Sequence, residues 1–217
     1  MGNIDIPMLL LRFVLIMPAI ILHEVAHGYV ANLLGDPTAK ARGRLTLNPI
    51  AHFDLWGTLI MPVLLLVVTQ GRFAFGYAKP VPVNPYLMRK TTVQTGMLLT
   101  GIAGPVTNIA LGVVTALVFR VAMLIPAIPD IVLTILYFFA YLNLMLAFFN
   151  LIPIPPLDGS RVVQRFLSGR ALEFYESIEQ YGFMIVIGLT WVIPGFLYTY
   201  FSWTVYPVMQ FLTGVAS

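Results

Sequence analysis

The sequence predicts an all-α polytopic membrane protein. About five spanning helices are expected, with one re-entrant segment and a short membrane-associated β-hairpin or edge strand. Three observations predict it. The 217 residues are 59% hydrophobic and only 10% charged, against about 25% charged in soluble domains. Several apolar runs reach the roughly 20 residues that cross about 30 Å of hydrocarbon as a helix. The basic residues gather in the loops between those runs, where they act as topology signals. A net charge of +3, from 12 Lys and Arg against 9 Asp and Glu, is too small and too dispersed for a nucleic-acid partner. With no cysteine there is no disulfide framework and no thiolate metal site. At this length one membrane domain over residues 1–217 is expected, with a core over about 6–170 and a C-terminal helical hairpin over about 171–217.

Residues 6–34 read as the first spanning helix. No basic region precedes them, and they are too many for a signal-peptide core. Pro18 bends this helix. Residues 35–49, "GDPTAKARGRLTLNP", begin as a turn and continue as a short strand at "RLTLN". Residues 55–70, "LWGTLIMPVLLLVVTQ", are short for a crossing and contain Pro62, which suits a re-entrant dip. In residues 72–85, "RFAFGYAKPVPVNP", three prolines forbid a helix, and the alternation suits an edge strand or hairpin. Residues 92–119 and 131–152 are the second and third spans. Gly96, Gly101, Gly104 and Gly112 give the former a smooth packing face. After "PIPPLDG" comes a polar stretch with Arg161, Arg165, Arg170, Glu173, Glu176 and Glu179, expected as short interfacial helices. As one helix, residues 181–216 would be about 54 Å long, so the "IPG" at 193–195 is expected to divide them into two spans.

Charge distinguishes two threadings. If residues 55–70 cross fully, Lys40, Arg42 and Arg44 lie opposite Arg72, Lys79, Arg89 and Lys90. If they dip and return, those seven share one side with Arg161, Arg165 and Arg170. That side then holds ten of the twelve basic residues, with only Arg12 and Arg120 elsewhere. The positive-inside bias selects the dip, with the N-terminus outside and the basic loops cytoplasmic.

Within the first span lies "HEVAH", His23 to His27. On a helix, positions i and i+4 share a face, so His23 and His27 can grip one ion. Glu24 beside them is placed to act as a general base. Ionisable groups at membrane depth are costly and point to function. A third ligand must come from His52, Asp54 or Asp158. Asp158 follows a span interrupted by prolines, and broken backbone at membrane depth is tolerated where it lines a cavity. His27 lies about 10 Å from the end of its helix, and it shares a side with Asp158 only if residues 55–70 dip. Two other functions use the same residues: metal or ion transport, and non-catalytic binding of transmembrane helices. Transport needs a polar path on both sides, yet Arg12 is the only charge between Asp5 and the histidines. A mere binder has no use for Glu24.

Five stretches carry a resemblance: "HEVAHGYVA" (23–31), "GRLTLNPIAHFD" (43–54), "FGYAKPVPVNP" (75–85), "GPVTN" (104–108) and "FNLIPIPPLDGSR" (149–161). In this order they resemble the site-2 protease family of intramembrane zinc metalloproteases, in its compact branch without PDZ or CBS domains. The resemblance implies one Zn2+ per chain, bound by His23, His27 and Asp158. It implies Glu24 as the catalytic base and Asn108 as a second catalytic residue, near the substrate carbonyl. Phe75, Gly76, Tyr77, Ala78 and Lys79 would offer a strand edge to the substrate. His52 and Asn150 are candidates to support the site from behind. The implied activity is zinc-dependent endoproteolysis of transmembrane protein substrates in the cell membrane, near its cytoplasmic side, with the bilayer as the other partner.

Overall fold

Residues 6–68, 76–193 and 195–215 are described by the computed structural model of the protein. The first helix, α1 (Ile6–Leu33), has 28 residues and is about 42 Å long; Pro18 lies inside it. A turn leads to the short α2 (Thr38–Ala41) and α3 (Pro49–His52). Asn48 caps α3 by accepting from the Ile50 N–H, and Pro49 occupies the first helical position, where its missing N–H costs nothing. Asp54 then accepts from the Gly57 N–H and starts a π-helical turn (Leu55–Ile60) that runs into α4 (Met61–Val68).

Beyond α4 the described chain resumes at Gly76, and Tyr77 lies beside Gly57. The Tyr77 N–H donates to the Gly57 carbonyl at 3.0 Å, and the Thr58 hydroxyl donates to the Tyr77 carbonyl at 3.1 Å. A Cβ on Gly57 would stand 2.4 Å from the Tyr77 ring, so the two segments touch only because residue 57 has no side chain. From Tyr77 the chain is extended. The Lys79 N–H donates to the His52 carbonyl at 2.9 Å, and the Val81 N–H donates to Glu24 Oε2 at 2.8 Å. The expected β-hairpin does not form among the described residues. Alternate N–H groups of this stretch bond Gly57, His52 and Glu24, three acceptors in three different segments, so no ladder can build up. The expected start of the hairpin, up to Phe75, lies outside the described residues, as do residues 69 and 70 of the expected dip.

Helices α5 (Val93–Ala122) and α6 (Asp130–Asn150) follow. The Thr92 hydroxyl caps α5 by accepting from the Thr95 N–H. Short helices α7 (Gly159–Gln164) and α8 (Gly169–Ser177) come next, then α9 (Gly182–Val192) and α10 (Phe196–Thr213). The break between the last two falls where "IPG" predicts it, with Gly195 at φ +78°, a conformation that glycine adopts without penalty.

Among the described residues three helices are long and apolar enough to cross a membrane: residues 10–33 of α1, α5 and α6. The expected count of about five is therefore not met. Helix α9 has 11 residues, about 16 Å, too short for the hydrocarbon layer. Helix α10 has 18 residues with Pro207 inside and several hydroxyl side chains that dilute its hydropathy. The three long helices pack on one another, and α10 closes the bundle against α5 and α6. In lipid, helix association depends on close packing rather than on exclusion of water. Ala116 and Ala140 are fully buried, and a Cβ on Gly112 would come within 2.7 Å of Leu144 Cγ. The small-residue face of α5 is thus the face that packs.

Candidate metal centre

His23 and His27 lie one turn apart on α1, and their rings meet edge to face with centroids 4.6 Å apart. Asp158 begins α7 directly after the proline-broken end of α6. His23 Nε2 lies 3.0 Å and His27 Nε2 3.4 Å from Asp158 Oδ2. The three ligand atoms all fall within 4.8 Å of one another. A zinc ion with bonds of 2.0–2.1 Å holds tetrahedral ligand atoms about 3.3 Å apart, so the group is nearly at coordination spacing. Both histidines are buried, and the Asp158 side chain is 20% exposed.

The outer nitrogens of the rings are fixed by acceptors. His23 Nδ1 lies 2.5 Å from Asn108 Oδ1. The Asn108 amide nitrogen donates to the Ala19 carbonyl at 3.1 Å and to Asn143 Oδ1 at 2.9 Å, which fixes the orientation of that amide. His27 Nδ1 lies 2.6 Å from the Thr100 carbonyl. Each Nδ1 therefore carries a proton, and each Nε2 faces Asp158 as a potential ligand. Whatever sits between those nitrogens and Oδ2 must be positive, either a proton or a metal ion. Burial disfavours the ionised Asp158 carboxyl, but hydrogen bonds from His23 and His27 outweigh it and pull its pKa down to about 2. The group fits a zinc ion in ligand type and number, and in the hydrogen bonds behind the ligands.

Space for the two rings comes from α5. A Cβ on Gly104 would lie 2.5 Å from His27 Nε2 and 2.6 Å from His23 Nε2. Glycine is the only residue that leaves both imidazoles where they are.

A cavity of about 630 Å³ opens beside the cluster. Its walls are mainly apolar, with Ile20, Met145, Phe149 and Phe201 among them, and His23 and Glu24 reach it. Gly76, Tyr77 and Ala78 line the same cavity. Lys79 does not line it, and Phe75 lies outside the described residues. Asn150 lines the cavity, but its amide donates back to the Leu146 carbonyl, away from the ligand group. His52 is fully buried and bonds the Thr46 carbonyl at 2.8 Å; it and Asp54 lie outside the ligand group. Asn108 is fully buried, and its amide is engaged on His23, Ala19 and Asn143. Its amide oxygen meets His23 at Nδ1, across the ring from the Nε2 that faces Asp158.

Two contributors were not foreseen from sequence. Asn143 is fully buried in α6 and carries the network on by donating to the Phe139 carbonyl at 2.8 Å. An amide inside the apolar run 131–152 is itself a signal that could have found it. Thr100 contributes a main-chain carbonyl, which leaves no mark in the residue pattern.

Comparison with known proteins bears on this site. The model of "Peptidase family M50" matches residues 125–193, a stretch that includes Asp158. YwhC of Bacillus subtilis, whose name assigns it by inference to the zinc metalloproteases, is 39% identical over 173 residues, covering 77% of this chain and 74% of its own. Rip2 of Mycolicibacterium smegmatis, named in the same way, is 30% identical over 196 residues, covering 90% of this chain and 71% of its own. MJ0611 of Methanocaldococcus jannaschii, also so named, is 30% identical over 164 residues, covering 75% and 73%. No solved structure matches.

Proposed function

This chain belongs to peptidase family M50 and is a zinc metalloprotease of the membrane, and on that premise we propose that it is an endopeptidase that cuts transmembrane proteins within the bilayer. The observation that carries the proposal is the junction of the His23–His27–Asp158 group and Glu24 with an apolar cavity of about 630 Å³. A cavity with such walls suits a lipid-soluble peptide better than a soluble one.

His23, His27 and Asp158 hold the zinc, which when bound polarises the attacking water and the scissile carbonyl. Glu24 takes a proton from that water as its oxygen bonds to the carbonyl carbon. It returns the proton to the amide nitrogen as the C–N bond breaks. Asn108 holds the Nδ1 proton of His23, so we assign it a positioning role rather than contact with substrate.

A peptide bond inside a helix is shielded, so cleavage requires local unwinding, and an extended segment can pair with a neighbouring edge. Along the extended stretch, Tyr77, Lys79 and Val81 direct their N–H groups toward Gly57, His52 and Glu24. By the two-residue period of extended chain, the Ala78 N–H and carbonyl point the other way. Ala78, on the cavity wall, offers the edge to which an unwound substrate would pair. Residues 6–170 then serve as the catalytic core and 171–217 as a C-terminal helical unit beside the cavity.

For topology we infer that residues 55–70 form a re-entrant segment, with the N-terminus outside and the basic loops cytoplasmic. The contact of Gly57 with Tyr77 supports the dip, and the ten basic residues on one side support the orientation. Substrate would then be cut near the cytoplasmic face.

The test is reconstitution of the purified chain into liposomes with a panel of single-span membrane proteins. At least one is expected to be cleaved by the wild type. Glu24→Gln should retain zinc and lose about 10²–10⁴-fold of the rate, the usual contribution of a general base. Cleavage that persists in Glu24→Gln or in the presence of a zinc chelator overturns the proposal.

A further inference from the structure

Of the basic residues in the loop after α1, Arg44 is the one that is buried; Lys40 and Arg42 are exposed. Its guanidinium braces two segments that are also tied by the bond from the Lys79 N–H to the His52 carbonyl. Nη1 donates to the Ala51 carbonyl. Nη2 donates to the Lys79 carbonyl at 2.5 Å and to the Pro80 carbonyl at 3.3 Å. The next residue, Val81, is the one whose N–H donates to Glu24 Oε2.

The loop that carries Arg44 is itself closed. His52 Nε2 bonds the Thr46 carbonyl at 2.8 Å, and the His52 carbonyl accepts from the Lys79 N–H at 2.9 Å. On the far side, Val81 seats on bare backbone of α1. A Cβ on Gly28 would lie 2.6 Å from Val81 Cγ1, and Gly28 is one helical turn beyond Glu24. The Val81 N–H is thus fixed from two sides, by a fork of charged donors on the preceding carbonyls and by a glycine seat under its own side chain.

We propose that Arg44 is a positioning residue for Glu24. Its guanidinium clamps the Lys79 and Pro80 carbonyls so that the Val81 N–H aims the Glu24 carboxylate into the cavity beside the metal ligands. The planar fork with several donors suits this task. A lysine ammonium, a single point on a flexible stem, cannot reach both segments in the same geometry. The "GRLTLNPIAH" stretch, which none of the ligand or base assignments uses, then has a function: it is the bracket that carries Arg44 and His52 to the extended chain.

The inference rests on Glu24 as the base. Its main test reads the Glu24 contact directly and needs no substrate, so it stands apart from the fate of the protease reading. Amide hydrogen exchange at Val81 is followed by NMR in the full chain, labelled with ¹⁵N-valine; Val81→Ile identifies the signal. Glu24→Ala should accelerate Val81 exchange about tenfold, the equivalent of one hydrogen bond to a charged group. Arg44→Lys should accelerate it by a similar factor while zinc stays at one per chain. His52→Phe leaves the guanidinium but opens its loop, and should give a smaller acceleration; it decides the matter if Arg44→Lys does not fold. For any panel protein that the wild type cleaves, zinc-loaded Arg44→Lys should lower kcat and leave KM unchanged. Wild-type exchange at Val81 in these Arg44 and His52 variants overturns the proposal. So does unchanged exchange in Glu24→Ala, or loss of zinc in Arg44→Lys, which would make Arg44 a support of the metal ligands rather than of the base.

Discussion

Gly104→Ala is the sharpest test of the proposed metal centre, because a single methyl group is asked to displace both histidines. The Cβ would lie 2.5 Å from His27 Nε2, 2.6 Å from His23 Cε1 and 2.6 Å from His23 Nε2. Ordinary contact begins at about 3.4 Å, so the nearest ring must withdraw by roughly 0.9 Å. Metal–ligand distances tolerate about ±0.2 Å, so at least one histidine leaves coordination range. The rings cannot simply rotate, because Asn108 Oδ1 and the Thr100 carbonyl hold their outer nitrogens at 2.5 and 2.6 Å. Disturbing an outer partner alone costs about 10–100-fold in metal affinity, so losing a ligand should cost at least about 100-fold. The helix itself gains from the change, since alanine is favoured over glycine in a helix interior by about 1 kcal/mol. The assay is zinc affinity by competition with a chelator, run beside Gly112→Ala. That control places a Cβ 2.7 Å from Leu144 Cγ on the same helix, but far from the ligands. Gly112→Ala should lower stability and keep zinc. Wild-type zinc affinity in Gly104→Ala would refute the assigned geometry.

Three further outcomes are expected. Asp158→Ala should lose stoichiometric zinc in elemental analysis while His52→Ala keeps it; the reverse pattern would identify the wrong third ligand. Asn108→Ala removes the acceptor that fixes His23 and should lower zinc affinity about 10–100-fold; unchanged affinity would show that the amide serves only packing. The chain has no native cysteine, so Arg42→Cys and Arg89→Cys can be labelled singly. A membrane-impermeant thiol reagent should reach both from the same face, and labelling from opposite faces would rule out the dip.

The ligand pair was legible because a spacing of four on a helix leaves little freedom: once residues 6–34 are helical, His23 and His27 must share a face. Asp158 was legible more indirectly, through prolines that break a span where a broken backbone needs a reason. The dip was read from the shortness of residues 55–70, from charge, and from the need to bring Asp158 to the side of His27; none of these foretold that Tyr77 would lie against Gly57. Arg44 shows where such counting fails. Sequence reading placed it with Lys40 and Arg42 as a topology signal, yet its guanidinium is buried and bonds main-chain carbonyls. Charge type fixes which side of a membrane a loop favours, but not which carbonyls a folded loop presents. The hairpin expectation failed for a related reason. Alternation shows that residues 76–84 are extended, but the acceptors for their N–H groups come from distant segments that the local pattern does not specify. The Thr100 carbonyl was beyond reach for the same cause, since any residue could supply it.

The same hydrogen-bonded chain that orients His23 also fixes the bundle around it. His23 on α1 donates to Asn108 on α5, Asn108 donates to Ala19 on α1 and to Asn143 on α6, and Asn143 donates to the Phe139 carbonyl of its own helix. Each of these amide and ring donors has a partner inside the protein. In a medium without water, an unmet polar group is costly, and linked hydrogen bonds reinforce one another. Rotating or sliding any of the three long helices would therefore break a buried hydrogen bond. Only the arrangement that brings His23 to Asp158 satisfies all members at once. Polar groups that looked misplaced in an apolar chain thus select one packing of α1, α5 and α6 from the many that small residues alone would permit. That packing is the one in which Glu24 faces the cavity.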